Sequence, residues 1–153
     1  MQPLYFEDFY TGRKFESGGL TVTESEMLDF ALKFDPQPFH LDAVAAKETQ
    51  FGGLIASGFL TLSVSFSLFF RLRVVEQANL GSPGIEEVRW LKPMRPGDTV
   101  HVTAEVTAVR PSQSKPDRGV IWMRLDTYNQ RGELIMTVNC MHMLMRLDAL
   151  AGD

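Results

Sequence analysis

Residues 54–70 read LIASGFLTLSVSFSLFF, and the fold of the chain turns on how this uncharged stretch is taken. It falls slightly short of the roughly 20 apolar residues that a helix needs to span a bilayer. It also carries Ser57, Gly58, Thr61, Ser63, Ser65 and Ser67. A helix that is apolar nearly all round can instead be the buried centre of a soluble domain, and that is the expectation here. Ser57 has the hydroxyl of a good N-cap, so the spacing predicts a long helix from there to about Val74.

Working outward, the chain changes character after NLGSPG. IEEVRWLKPM reads as a strand closed by a proline turn, and TVHVTAEVTAV alternates with period two. VIWMRLDTY and ELIMTVNCMHMLMRL are two further strands, joined by the turn NQRG. Toward the N-terminus, a short strand is expected near Arg13–Glu16. Thr23 and Glu26 have capping-box spacing for a helix that Pro36 ends by about Phe34. Asp42 can cap a second short helix, AVAAKET. Helices followed by a run of strands argue for an α+β domain, one curved antiparallel sheet wrapped around one apolar helix. Its sheet edges would then be available to another subunit.

The bulk numbers agree with one domain over residues 1–153. The composition, 44% hydrophobic and 22% charged, is ordinary for a globular chain. The net charge of -4, with no long basic run, leaves no electrostatic footprint for nucleic acid. The lone Cys140 and an N-terminus without an apolar signal core fit a cytoplasmic protein with no membrane partner.

Two segments carry candidate chemistry. In DPQPFH, residues 35–40, two prolines frame a short connection with an acid at one end and an imidazole at the other. Held extended, the loop lets Asp35 and His40 converge on one water as a metal-free acid–base pair. The helix start after Asp42 would favour a neutral, proton-accepting His40. The bland reading is a proline turn with a solvated histidine. In FGGLIASGF, residues 51–59, the amides of Gly58 and Phe59 fall among the open N–H groups of a helix start, where they can face a developing oxyanion. The alternative is that Gly58 serves only close packing. The remaining polar residues look structural. His101 should face solvent, and Cys140 with His142 shares a strand face without a second ligand pair for zinc. Met141, Met143 and Met145 suit core or pocket lining. Arg89, Lys92 and Arg95 suit a solvated face.

Taken together, FDPQPFHLD, FGGLIASGF and VRWLKPMRPGDTV resemble the MaoC-like dehydratases, hotdog-fold proteins related to the (R)-specific enoyl-CoA hydratases. The resemblance runs from about Phe6 to Met145. It implies a single hotdog domain, a homodimer or assembly of dimers, and Asp35, His40 and Gly58 as catalytic residues. Pro38 holds the turn, while Gln37, Phe39, Ser57, Phe59 and Phe66 border the substrate. The implied reaction is reversible hydration of a trans-2-enoyl thioester in fatty acid metabolism, with CoA as part of the substrate and no metal or other cofactor. A hotdog thioesterase and a non-catalytic acyl-thioester-binding subunit are the alternatives. Three departures from the hydratase pattern concern the acyl pocket: Lys33-Phe34 in place of Ser-Gly, Gln37 in place of Asn, and Phe66 in place of a small polar residue.

Overall fold

Period-two burial defines the sheet in the computed structural model, which describes residues 2–151. Along β4 (Thr99–Pro111), Val100, Val102, Ala104 and Val106 are fully buried, and the residues between them face outward. The same alternation buries Ile121, Met123 and Leu125 of β5 (Arg118–Tyr128). In β6 (Leu134–Met145) it buries Val138, Cys140, His142 and Leu144. Each large apolar side chain taken fully out of water contributes roughly 1.5–3 kcal/mol.

With β1 (Lys14–Glu16) and β3 (Ile85–Trp90) at the edges, the antiparallel order is β1-β4-β5-β6-β3. A short β2 (Leu20–Thr21) pairs with β4 off that path. Bulges interrupt the β4–β5 ladder between Val106 and Ala108 and the β3–β6 ladder between Glu86 and Arg89. Bulges of this kind bend and twist the strand that carries them.

Four helices precede the main strands: α1 (Glu24–Phe34), α2 (Pro38–Leu41), α3 (Ala43–Lys47) and α4 (Gly58–Arg71). Thr23 and Glu26 form the expected capping box on α1. Asp42 caps α3 by accepting from the amides of Val44 and Ala45. The α4 helix ends at Arg71, short of the expected Val74, because Arg73 adopts a left-handed φ of 58° that a helix cannot continue through.

The sheet's buried face holds α4. Ser65 shares a 2.7 Å hydroxyl hydrogen bond with Thr127 of β5, and the Phe69 ring lies 5.4 Å from the His142 ring of β6. The apolar stretch is therefore the centre of an α+β core. No helix among the described residues is long and apolar enough to cross a membrane. The core methionines are Met27, Met94, Met123 and Met136. Met141, Met143 and Met145 are only half-buried, since their strand positions alternate with those of Cys140, His142 and Leu144.

Candidate active site

The segment DPQPFH is not the extended loop its prolines suggest. Asp35 ends α1 with its amide bonded to the Ala31 carbonyl, and Gln37 is extended. Pro38 then opens the helical turn α2, whose third residue is His40. Proline is well suited to a first helical position, where its missing N–H has no partner to lose and its φ is preset. His40 thus sits in the last turn of α2, and the helix start expected after it is the α3 start capped by Asp42.

That turn carries the imidazole under the carboxylate. His40 is buried, and its Nε2 lies 3.3 Å from Asp35 Oδ2. Its Nδ1 lies 2.8 Å from the Ile55 carbonyl. Because a carbonyl only accepts, Nδ1 carries the hydrogen, and Nε2 is the nitrogen that faces Asp35. Phe39 backs the imidazole edge-on at 4.6 Å and packs on Phe51. The loop that supplies the Ile55 carbonyl is itself pinned. The Ile55 amide donates to Phe39, the Ala56 amide donates to Met94, and Arg95 donates to the Phe51 and Gly53 carbonyls.

Asp35 is surrounded by donors. Gln37 Nε2 donates to Oδ1 at 2.6 Å, and the fully buried Ser57 hydroxyl donates to Oδ2 at 2.7 Å. Burial pushes the carboxyl up, but the Gln37 and Ser57 hydrogen bonds and the nearby His40 together hold it below its ordinary value. Asp35 is therefore a carboxylate at neutral pH.

The α4 start completes the arrangement. Ser57 is its N-cap, as expected, and its Oγ also accepts from the Phe59 amide at 3.2 Å. The Phe59 N–H is thus satisfied internally, and of the two amides considered Gly58's is the one left at the positive end of the helix. Close packing accounts for the glycine as well: a Cβ there would lie 2.6 Å from Trp90 Cε2. The packing reading of Gly58 is thus the one with a contact behind it.

Asp35, Gln37, His40, Gly58 and Phe59 line one cavity of about 450 Å³. Phe51, Ile55, Trp90, Leu91 and Met94 make its walls largely apolar. Ser57 and Phe39 stand behind the lining, and Pro38 is exposed. Phe66 is not part of it; it lies farther along α4, stacked on Phe70 at 5.9 Å. About two helical turns along α4 separate it from Gly58. Trp90 was missed. The tertiary contact with Gly58 identifies it, and its strand reading carried no such signal. An ionised carboxylate, an imidazole and an open helix-terminal amide facing one apolar cavity can hold a water beside a polarised carbonyl.

Two further polar residues, Thr61 and Lys92, are on the cavity lining. Lys92 pairs with Glu133, and His101 stacks on Tyr128 with about one third of its side chain exposed. Among the described residues no His, Cys, Asp and Glu group could hold a metal ion.

Comparison with known proteins follows the same lines. A family model described as the MaoC like domain matches residues 8–121. An (R)-specific enoyl-CoA hydratase of Rhodospirillum rubrum is 33% identical over 114 residues, 71% of this chain and 74% of that protein. A crystal structure of a MaoC-like dehydratase from the same organism superposes with a TM-score of 0.81 at 38% identity, covering 94% of this chain and 97% of the other. A Mycobacterium tuberculosis protein with a double hotdog fold matches at a TM-score of 0.76 and 20% identity, over 94% of this chain and 44% of its own. The curved sheet around α4 is a hotdog fold.

Proposed function

Because this chain belongs to the MaoC-like domain family, we propose that it is a hydro-lyase adding water reversibly to a trans-2-enoyl thioester. The thioester is a CoA ester, and the product is the 3-hydroxyacyl thioester. The observation that carries this reading is that Asp35, His40 and Gly58 line one largely apolar cavity.

In this reading the thioester carbonyl accepts from the Gly58 N–H, which stabilises the charge that develops on its oxygen. A water on the cavity side hydrogen-bonds to both Asp35 and His40 Nε2. Its oxygen adds to the β carbon as its proton passes to the pair. The pair returns a proton to the α carbon, so one O–H bond and the carbon–carbon π bond are replaced by a C–O and a C–H bond. Ser57 and Gln37 keep Asp35 ionised and oriented, and the Ile55 carbonyl keeps Nε2 as the exchanging nitrogen. CoA is the carrier, and the reaction needs no further cofactor. The pairing of a reactive enoyl thioester with an apolar cavity suits a role in fatty acid metabolism in the cytoplasm. The unpaired edge strand β3, with Ile85 exposed, suits a homodimer.

The test is direct. Purified protein mixed with enoyl-CoAs of several chain lengths should deplete the conjugated absorbance. Folded protein that is inert toward every chain length would overturn the reading.

A further inference from the structure

The β3 bulge decides which side chain meets the start of α4. Ile85 pairs with Cys140 and Glu86 with Asn139, whereas Arg89 pairs with Thr137 and Trp90 with Met136. One extra residue therefore lies on the β3 side of the ladder. Glu87, within it, has a φ of 50°, in the left-handed region that a non-glycine residue seldom adopts. Period two counted from Ile85, whose partner Cys140 is on the buried face, would turn Arg89 inward. The extra residue turns Trp90 inward instead, opposite the buried Met136. Bulges recur beside active sites for this purpose, re-aiming one side chain.

What arrives is an indole fitted to residue 58. Its Nε1–H donates to the Gly58 carbonyl at 2.8 Å. The ring lies so close over the Gly58 Cα that a Cβ would be 2.6–2.7 Å from Cε2 and Nε1. Phe59 meets it edge-on at 6.2 Å. Trp90 is nonetheless 47% exposed and lines the same cavity as Asp35 and His40. A ring in contact with Gly58 is also beside any carbonyl bonded to the Gly58 amide, and beside the atoms attached to that carbonyl.

We infer that Trp90, delivered by the bulge at Glu87, is a positioning and specificity-determining residue of this site. Its indole N–H and ring hold residue 58 in place, and its exposed face limits the bulk allowed next to the bound carbonyl. The inference rests on the hydration reading, and its test separates the two. The protein has two tryptophans, so in a Trp122→Phe background Trp90 is the sole emitter. Saturation with a non-hydratable saturated acyl-CoA should change that emission. Binding registered by calorimetry with the emission unchanged would overturn the placement of Trp90, whether or not the protein hydrates anything.

With enoyl-CoAs as substrates, Trp90→Phe should keep the wild-type order of preference and lower kcat for all of them, with KM little changed. Trp90→Ala should shift the kcat/KM ratio of bulky or α-branched over small acyl groups upward by roughly tenfold, the scale of a methylene-sized change in an apolar pocket. An unchanged preference in folded Trp90→Ala would overturn the inference while leaving hydration intact. Wild-type protein inert toward every substrate would overturn hydration and leave the emission titration to judge Trp90.

Discussion

A buried histidine lies near each end of α4, His40 from α2 and His142 from β6, and the two are treated differently. At the N-terminal end, His40 has a partner for both nitrogens and lines an open cavity. Toward the other end, His142 is 1% exposed, lies against the rings of Phe69 and Phe70, and has no partner for Nδ1. Its Nε2 has only the Cys140 sulfur at 3.6 Å. Burial pushes His142 down to about 4 and the Cys140 thiol up to about 12, so both are neutral at pH 7. The imidazole has polar partners on both nitrogens at one end of the helix and is kept as a neutral packing group at the other. Both are buried, and His40 differs in the partners that the end of α1 and the 51–57 loop bring to its two nitrogens.

The sharpest way to break this comparison is to remove the wiring. Asp35→Asn or His40→Ala should lower the hydration rate roughly 10²–10⁴-fold with the fold retained, measured by loss of enoyl absorbance beside circular dichroism. His142→Leu should leave the rate near wild type. Equal losses at the two histidines would erase the distinction drawn between them.

Next in size is the acid limb of stability. The unfolded His142 binds a proton below its ordinary value of 6.5 while the folded one stays neutral down to about 4. The unfolded state therefore holds more protons in that window, and stability falls as pH drops from 6.5 to 4. The loss is about 3 kcal/mol over the full window. Urea titrations of wild type and His142→Leu across this range should show the slope flattened in the variant. Parallel curves would mean that His142 is not kept neutral.

Gly58→Ala places a methyl where the Trp90 indole already stands. Overpacking of this kind costs roughly 1–3 kcal/mol, and thermal melts should report it. Combining it with Trp90→Ala should recover most of the lost stability, and no recovery would put the clash elsewhere.

The smallest effect is expected from Ser57→Ala. It removes an N-cap worth about 1 kcal/mol and one of the hydrogen bonds that hold the Asp35 carboxyl low. Asp35 would then protonate at a higher pH, so the acid limb of the rate profile should move upward in pH. A profile that stays in place would show that Ser57 serves the helix alone.

How legible all this was depends on the range of each interaction. Alternation in β4, β5 and β6, the Thr23 capping box and the Ser57 cap act over a few residues, so their sequence pattern is their physics. The sites of α1, α4 and the long strands were therefore readable, as was the ordered set of Asp35, His40 and Gly58. DPQPFH misled because a proline that stops one helix also starts another well, and residue type alone does not say which.

The sequence by itself determined an α+β core of a curved antiparallel sheet around one apolar helix, since apolar periodicity acts locally and leaves few ways to bury both a helix and a sheet. It also placed the acid, the imidazole and the glycine in order along the chain. Only the tertiary structure decided that Ser57 bonds Asp35 across 22 residues and that Trp90 lies over Gly58 across 32. Such contacts depend on where a bulge shifts the register and where a capped helix begins relative to a distant turn. Their energies belong to pairs that meet only after the sheet has closed around α4.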